Sequence, residues 1–235
     1  MIVSTSENVN KIHLSEIQNI VFSTFKAFVS ARLMAELAKN NIAVVFCDEK
    51  YSPISQALPL YGSYYCAESF ATQMSWTEPK KKRVWQQIVR HKINKQAEVL
   101  KYFGKDEAAA KVHAYTYEVS SGDKGNKEAA AARIYFSALV NSDFTRDMDC
   151  YTNAALNYGY AILLSFISRE IVSRGYVTQS GISHMNRANE WNLSCDLMEP
   201  FRPFVDLQVM KSESNELTTE MKHNLQKNVY SRCSI

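Results

Sequence analysis

Apolar residues recur every three to four positions along four long stretches of the chain, a spacing that gathers them on one side of an α-helix. The stretches run from Lys82 to Phe103, Glu107 to Glu118, Lys127 to Val140 and Asn153 to Gly175. Loop-forming residues separate them at 120–126 and 178–181. Ahead of them, two β-rich runs, Ile17 to Phe22 and Ile42 to Asp48, flank a helical segment from Phe28 to Lys39 whose Asn40-Asn41 suits a helix stop. Between Ser52 and Ser63 two prolines and Gly62 break any regular pattern. The order predicts an α+β chain: a β-rich domain over residues 1–62 that includes a linker from residue 52, then a larger all-α domain over residues 63–235. From Lys211 onward the tail is polar and weakly patterned.

Composition narrows the class. The most apolar stretch, Tyr158 to Ile167, is interrupted by Ser165 and followed by Arg169 and Glu170. That falls short of the ~20 apolar residues a membrane span needs, so it reads as a buried helix with Tyr158, Tyr160 and Phe166 in the core. The start lacks the basic flank and apolar stretch of a signal peptide. Cys47, Cys66, Cys150, Cys195 and Cys233 form an odd, widely spaced set without a paired motif. Such usage argues against a disulfide framework and against a thiolate metal site, and a reducing cytoplasm is the expected location. The seven glycines form no GxxxxGK loop, which disfavours an ATP-driven step. Net charge is only +3, yet nine of the 27 basic residues lie between Lys80 and Lys105 against one acid, Glu98. Lys81, Lys82, Arg83, Arg90, Lys92 and Lys95 from this stretch are candidate contacts for DNA phosphates; an ordinary solvated helix start is the other reading. Trp76 and Trp85 nearby are core residues or stacking platforms.

Three acids and a histidine carry candidate chemistry. On the helix from Lys127, with Asp123 or Asn126 as its cap, Glu128 projects with Ala131, Ala132, Tyr135 and Leu139, while Arg133 and Ser137 project the other way. A carboxylate on an apolar face must be protonated, paired or bound to a cation, unless it only complements the helix dipole. His184 follows a Gly-Ile-Ser turn, and Asp196 and Glu199 stand three apart, on one side of any helix formed there. Imidazole and carboxylates without thiolate suit Mg²⁺ or Mn²⁺ better than structural zinc, although such residues are more often satisfied core or surface groups. His13, His91, His113 and His223 show no mutual metal spacing.

Five segments then act together: Val-Val-Phe-Cys-Asp-Glu-Lys-Tyr-Ser-Pro-Ile (44–54), Trp-Thr-Glu-Pro-Lys-Lys-Lys (76–82), Gly-Asn-Lys-Glu-Ala-Ala-Ala-Ala-Arg (125–133), Asn-Ala-Ala-Leu-Asn-Tyr-Gly-Tyr-Ala (153–161), and Gly-Ile-Ser-His through Asp-Leu-Met-Glu-Pro-Phe-Arg-Pro (181–203). In this order they resemble the CRISPR adaptation integrase family, the Cas-one (Cas1) proteins, in the form that accompanies type II systems. The resemblance implies an N-terminal β-sandwich, expected here in truncated form, joined to an all-α catalytic domain. It further implies that Glu128, His184 and Glu199 bind Mg²⁺ or Mn²⁺, with Asp196 in a neighbouring acidic position. The implied activity joins 3′-hydroxyl ends of captured DNA to a CRISPR repeat by transesterification, with associated endonuclease activity. Implied partners are double-stranded DNA, a second copy of the chain, and a Cas-two dimer in a heterohexamer. Ser183, Met185 and Cys195 depart from residues common in type II relatives at those positions, and the family's C-terminal helical extension is expected in shortened form. An inactive DNA-binding scaffold and a stand-alone nuclease for branched DNA are the competing readings.

Overall fold

The computed structural model describes residues 1–17, 19–49, 53–59 and 65–212, with 218, 220–222, 224, 225 and 227 beyond them. His223, Cys233 and residues 52 and 60–62 of the expected linker lie outside the described residues.

The chain opens with a hairpin in which β1 (Ile2–Ser4) pairs antiparallel with β2 (Val9–Lys11). A second sheet has the order β3-β4-β5. Its β3 (Asn19–Phe22) and β4 (Ala43–Cys47) run parallel, because α1 (Ala31–Lys39) crosses over between them. Ser30 caps α1 by accepting from Leu33 N at 3.2 Å, and Asn41, with φ of 53°, turns the chain out of it. The segment expected to be irregular contains a strand, β5 (Pro53–Ala57), antiparallel to β4. Pro53 is tolerated because it opens an edge strand, where no partner needs its missing N–H.

This sheet is not half of a β-sandwich. Leu37, Ile42 and Val44 form a core with α1 on one face. On the other face Val45 and Cys47 pack against Ala161 of a central helix. With both faces of β4 covered by helices, as its continuous apolar run demands, no face is left for a second sheet.

The helical part comprises α2 (Cys66–Met74), α3 (Glu78–Tyr102), α4 (Asp106–Glu118), α5 (Lys127–Leu139), α6 (Tyr151–Ser173), α7 (Asn192–Met198) and α8 (Arg202–Lys211). Apolar around most of its circumference, α6 is the buried axis against which β4, α7 and α8 pack. Among the described residues no helix is long and apolar enough to cross a membrane. The stripe Trp85, Ile88, Lys92, Gln96 and Val99 faces the interior from α3, with a lysine at its centre. Gln73 of α2 holds the loop that precedes His184: its amide donates to Val177 O (2.9 Å) and Ser180 O (2.8 Å) and accepts from Val177 N (2.9 Å).

Candidate functional site

Glu128 enters the site from the first turn of α5. Asp123, buried in the preceding 3-10 turn Ser121–Asp123, accepts from Lys127 N (2.9 Å) and Glu128 N (3.0 Å) and so satisfies two otherwise orphaned helix amides. Asn126 sits in the left-handed region without a side-chain cap bond, so Asp123 is the cap. Ala131, Tyr135 and Leu139 are buried on the face that Glu128 begins, whereas Arg133 and Ser137 are exposed.

Glu199 arrives from the 3-10 turn Glu199–Phe201 between α7 and α8. The two carboxylates share one cation. Lys92 Nζ lies 2.6 Å from Glu128 Oε1 and 2.5 Å from Glu199 Oε2, while Arg202 Nε lies 3.1 Å from the other oxygen of Glu199. Burial alone would push the Lys92 ammonium down, but Glu199 and Glu128 outweigh it and hold its pKa above the usual lysine value. For Glu199 burial pushes upward, and Lys92 and Arg202 overcome it, keeping the carboxylate ionised.

His184 is placed by Asp196. The Asp196 carboxylate, wholly buried on α7, accepts from Ile182 N (2.5 Å), Ser183 N (3.0 Å) and His184 N (3.1 Å), and pairs with His184 Nδ1 at 2.6 Å. Both oxygens are thus committed to shaping the turn and orienting the imidazole, so Asp196 is a positioning residue, with no lone pair directed to an ion. Gly181 is required here, since a Cβ would strike His184 O and Asp196 Oδ2. With Nδ1 protonated towards Asp196, Nε2 of the neutral ring keeps its lone pair for another partner. The hydrogen bond to Asp196 raises the His184 pKa, burial opposes it, and the charges of Asp196, Glu199 and Glu128 add to the rise. Trp85 stands edge-on to the ring with centroids 5.8 Å apart, which makes it a wall of the site and not a free stacking surface.

Glu128 and Glu199 therefore meet, with His184 inside their electrostatic reach. In this arrangement Lys92 stands between the carboxylates, and among the described residues no three His, Cys, Asp or Glu side chains are grouped closely enough to hold a metal.

The family model described as CRISPR associated protein Cas1 matches residues 1–233. The chain belongs to the Cas1 family. It is 35% identical to the CRISPR-associated endonuclease Cas1 of Neisseria meningitidis, over 100% of this chain and 79% of that protein. Its fold matches a chain of a Cas6-RT-Cas1–Cas2 complex with a TM-score of 0.76 at 19% identity, covering 98% of this chain and 30% of that one. A casposase bound to an integration product matches with a TM-score of 0.70 at 20% identity, covering 97% and 75%. At those identities the two structures speak for the fold alone.

The basic residues of this Cas1 chain divide by environment. Lys82 and Arg83 are exposed at the start of α3, and Lys81 lines a cavity of about 500 Å³ together with His184 and Arg187. Arg90 is half-buried and donates to Val119 O at 3.2 Å, and Lys95 pairs with Glu98 at 2.7 Å. Lys92 leaves the group altogether: its place on the apolar stripe turns it inward to the carboxylates, away from any DNA track on the surface. Treating lysine as a surface residue by type hid this, although its spacing of four from Ile88 and seven from Trp85 was a readable signal. Arg202, three residues after Glu199, was readable in the same way.

Proposed function

We propose that this Cas1 chain is a metal-dependent DNA integrase and endonuclease of CRISPR adaptation. The observation that carries this reading is the convergence of Glu128 and Glu199 on a single buried cation, beside an imidazole whose tautomer a buried aspartate fixes.

The donor chemistry fits a hard divalent ion. Two carboxylates and one imidazole are a suitable set for Mg²⁺ or Mn²⁺. The position already holds positive charge, and Glu199 Oε2, although 2.5 Å from Lys92 Nζ, is buried without a hydrogen bond of proper geometry. Glu128, Glu199 and Nε2 of His184 would hold the ion, which would polarise the target phosphate and favour the ionised form of the attacking hydroxyl. The protein's own part is orientation. Arg202 stands beside one oxygen of Glu199 as an ion pair, the Asp123 cap fixes the start of α5, and Asp196 retains the proton at His184 Nδ1.

In strand joining, the 3′-oxygen of the captured DNA forms a bond to a repeat phosphorus as the bond to the repeat's own 3′-oxygen breaks. The attacking hydroxyl gives up its proton and the departing oxygen gains one, so no nucleotide is consumed. Water in place of the hydroxyl gives hydrolysis. Lys82 and Arg83, exposed beside the cavity that Lys81 and His184 line, are placed to neutralise duplex phosphates without reading bases. The partners of this reading are double-stranded DNA, a second copy of the chain and a Cas2 dimer in a heterohexamer; a protein of the same fold occurs in a complex with Cas2.

The test incubates the protein with Mn²⁺ or Mg²⁺, a duplex bearing free 3′-hydroxyls and a repeat-containing supercoiled plasmid, with and without Cas2. Covalent joining that disappears in Glu128→Ala and His184→Ala is expected. A folded, DNA-binding wild-type protein that neither joins nor cleaves would instead be an inactive scaffold, and cleavage indifferent to Cas2 would point to a solitary nuclease.

A further inference from the structure

We propose that Lys92 is a tethered cation that occupies the metal position in the metal-free protein and must be displaced by the incoming ion, an assignment that rests on the metal-site reading above. Its ammonium lies 2.6 Å from Glu128 Oε1 and 2.5 Å from Glu199 Oε2, so it takes one oxygen of each carboxylate assigned to the ion. Mg²⁺ binds carboxylate oxygens at roughly 2.0–2.1 Å. An ammonium and a divalent ion cannot both sit within contact of the same oxygens without strong like-charge repulsion, so the two occupants exclude one another.

The surroundings suit such an exchange. Arg202 lies 3.1 Å from the second oxygen of Glu199 as an ion pair, so this buried carboxylate keeps one cationic neighbour when Lys92 leaves. Lys92 is anchored in the middle of a 25-residue helix, whereas its side chain is a flexible four-carbon stem that is 11% exposed, so the ammonium can change position by side-chain rotation while the backbone stays in the helix. Lys92 serves two ends at once: it neutralises two facing carboxylates that would otherwise repel, and it sets a threshold the ion must exceed. The threshold selects for divalent charge, because a monovalent ion offers the carboxylates no more than the ammonium already does.

Two measurements on the full chain decide the matter. Mn²⁺ binding is titrated by the electron paramagnetic resonance signal of the free ion for wild type, Lys92→Met and Glu199→Gln. Lys92→Met is expected to bind at least about fivefold more tightly than wild type, with a metal-free unfolding midpoint that is lowered and recovers as Mn²⁺ is added. The second measurement needs no variant: Lys92 acetylation in the wild type, followed by peptide mass spectrometry, is expected to accelerate severalfold once Mn²⁺ saturates the site. Saturable Mn²⁺ binding that Glu199→Gln abolishes but Lys92→Met leaves unchanged or weakens would overturn the role of Lys92 while the metal site stands. Should Lys92→Met not fold, a Lys92 acetylation rate unaffected by saturating Mn²⁺ overturns it equally. Absence of saturable Mn²⁺ binding in both wild type and Lys92→Met would defeat the metal site and the tethered cation together.

Discussion

At the scale of single residues, the site depends on side chains that touch no substrate. Asp196 shows this most clearly, since one carboxylate closes a turn through three amides and sets the ring of His184. Asp196→Asn keeps the size of the group but offers only one oxygen and loses the charge that holds the Nδ1 proton. Removing such an outer partner of a ligating histidine typically costs about 10–100-fold in metal affinity or activity. On the proposed reading of His184 as a ligand, strand joining by Asp196→Asn should fall by that range, with a circular dichroism spectrum like that of wild type. Asp196→Ala should do more, because three amide donors lose their acceptor at about 1–3 kcal/mol for each that stays buried. Its urea midpoint should fall clearly below that of Asp196→Asn, and equal midpoints would show that water replaces the carboxylate at no cost.

At the scale of elements, α8 is fastened to α5 and α6 by one buried acid. Asp206 accepts from Tyr135 OH at 2.9 Å and Tyr160 OH at 2.5 Å, and the guanidinium groups of Arg202 and Arg146 lie over the Tyr160 ring at 4.7 and 5.2 Å. The helices approach closely here, for a Cβ on Gly159 of α6 would collide with Val205 of α8. Burial pushes Asp206 up from 3.8 to about 6, against the two tyrosine hydrogen bonds and the nearby Arg202 and Arg146. Between those two values the folded chain binds more protons than the unfolded chain. The contribution of Asp206 to stability is therefore greatest at low pH, declines as pH rises through that window and is flat above it. Subtracting the urea midpoints of Asp206→Asn from those of wild type across pH 4 to 8 should give a curve that falls and then levels near 6. A flat difference would mean that the acid titrates normally.

The elements also show what a sequence exposes. The helices α3 to α6 lie close to where periodicity sets them, because each repeats its apolar pattern over three or more turns. The hairpin β1–β2 is three residues a side and β5 is five, too short for alternation to rise above chance. Nine-residue α2, with an exposed Phe70 and a buried Gln73, lacks a clean apolar stripe for a different reason: its buried polar side chain is spent on holding the 177–180 loop. Within the site, Glu128 was legible from the helix face it shares with Ala131 and Tyr135. His184 and Glu199 needed the family resemblance, since their meeting depends on how α7 and α8 fold back over α3. That Lys92 turns inward was legible from its place on the apolar stripe of α3, but which carboxylates it meets was not, because its pairing with Glu128 across 36 residues is a tertiary fact.

For the whole molecule, the question is how a chain of net charge +3 would hold the polyanion that the proposed function requires. Charge averaged over the surface is too small, and at ~0.1 M salt a fixed charge acts over only about 10 Å, so attraction must come from local density. The exposed Lys80, Lys82 and Arg83 provide it at one end of α3, in the same helix that carries Lys92 into the site. Lys101 and Lys105 are also exposed, but Lys101 lies about 30 Å further along α3 at 1.5 Å per residue and Lys105 follows just past the end of that helix. If duplex DNA runs past the first group, converting Lys80, Lys82 and Arg83 together to Gln should weaken binding irrespective of sequence. It should also make the plot of log K against log salt less steep by about 0.9 for each phosphate that is no longer neutralised. Glutamine preserves the stem of Lys82, which packs against Gly122, so the cap of α5 should survive and the unfolding midpoint should stay near that of wild type. Lys101→Gln with Lys105→Gln serves as the control, expected to leave both affinity and slope almost unchanged. Equal losses from the two sets would show that DNA senses the helix as a diffuse positive rod, and the track would then have to be sought along its full length.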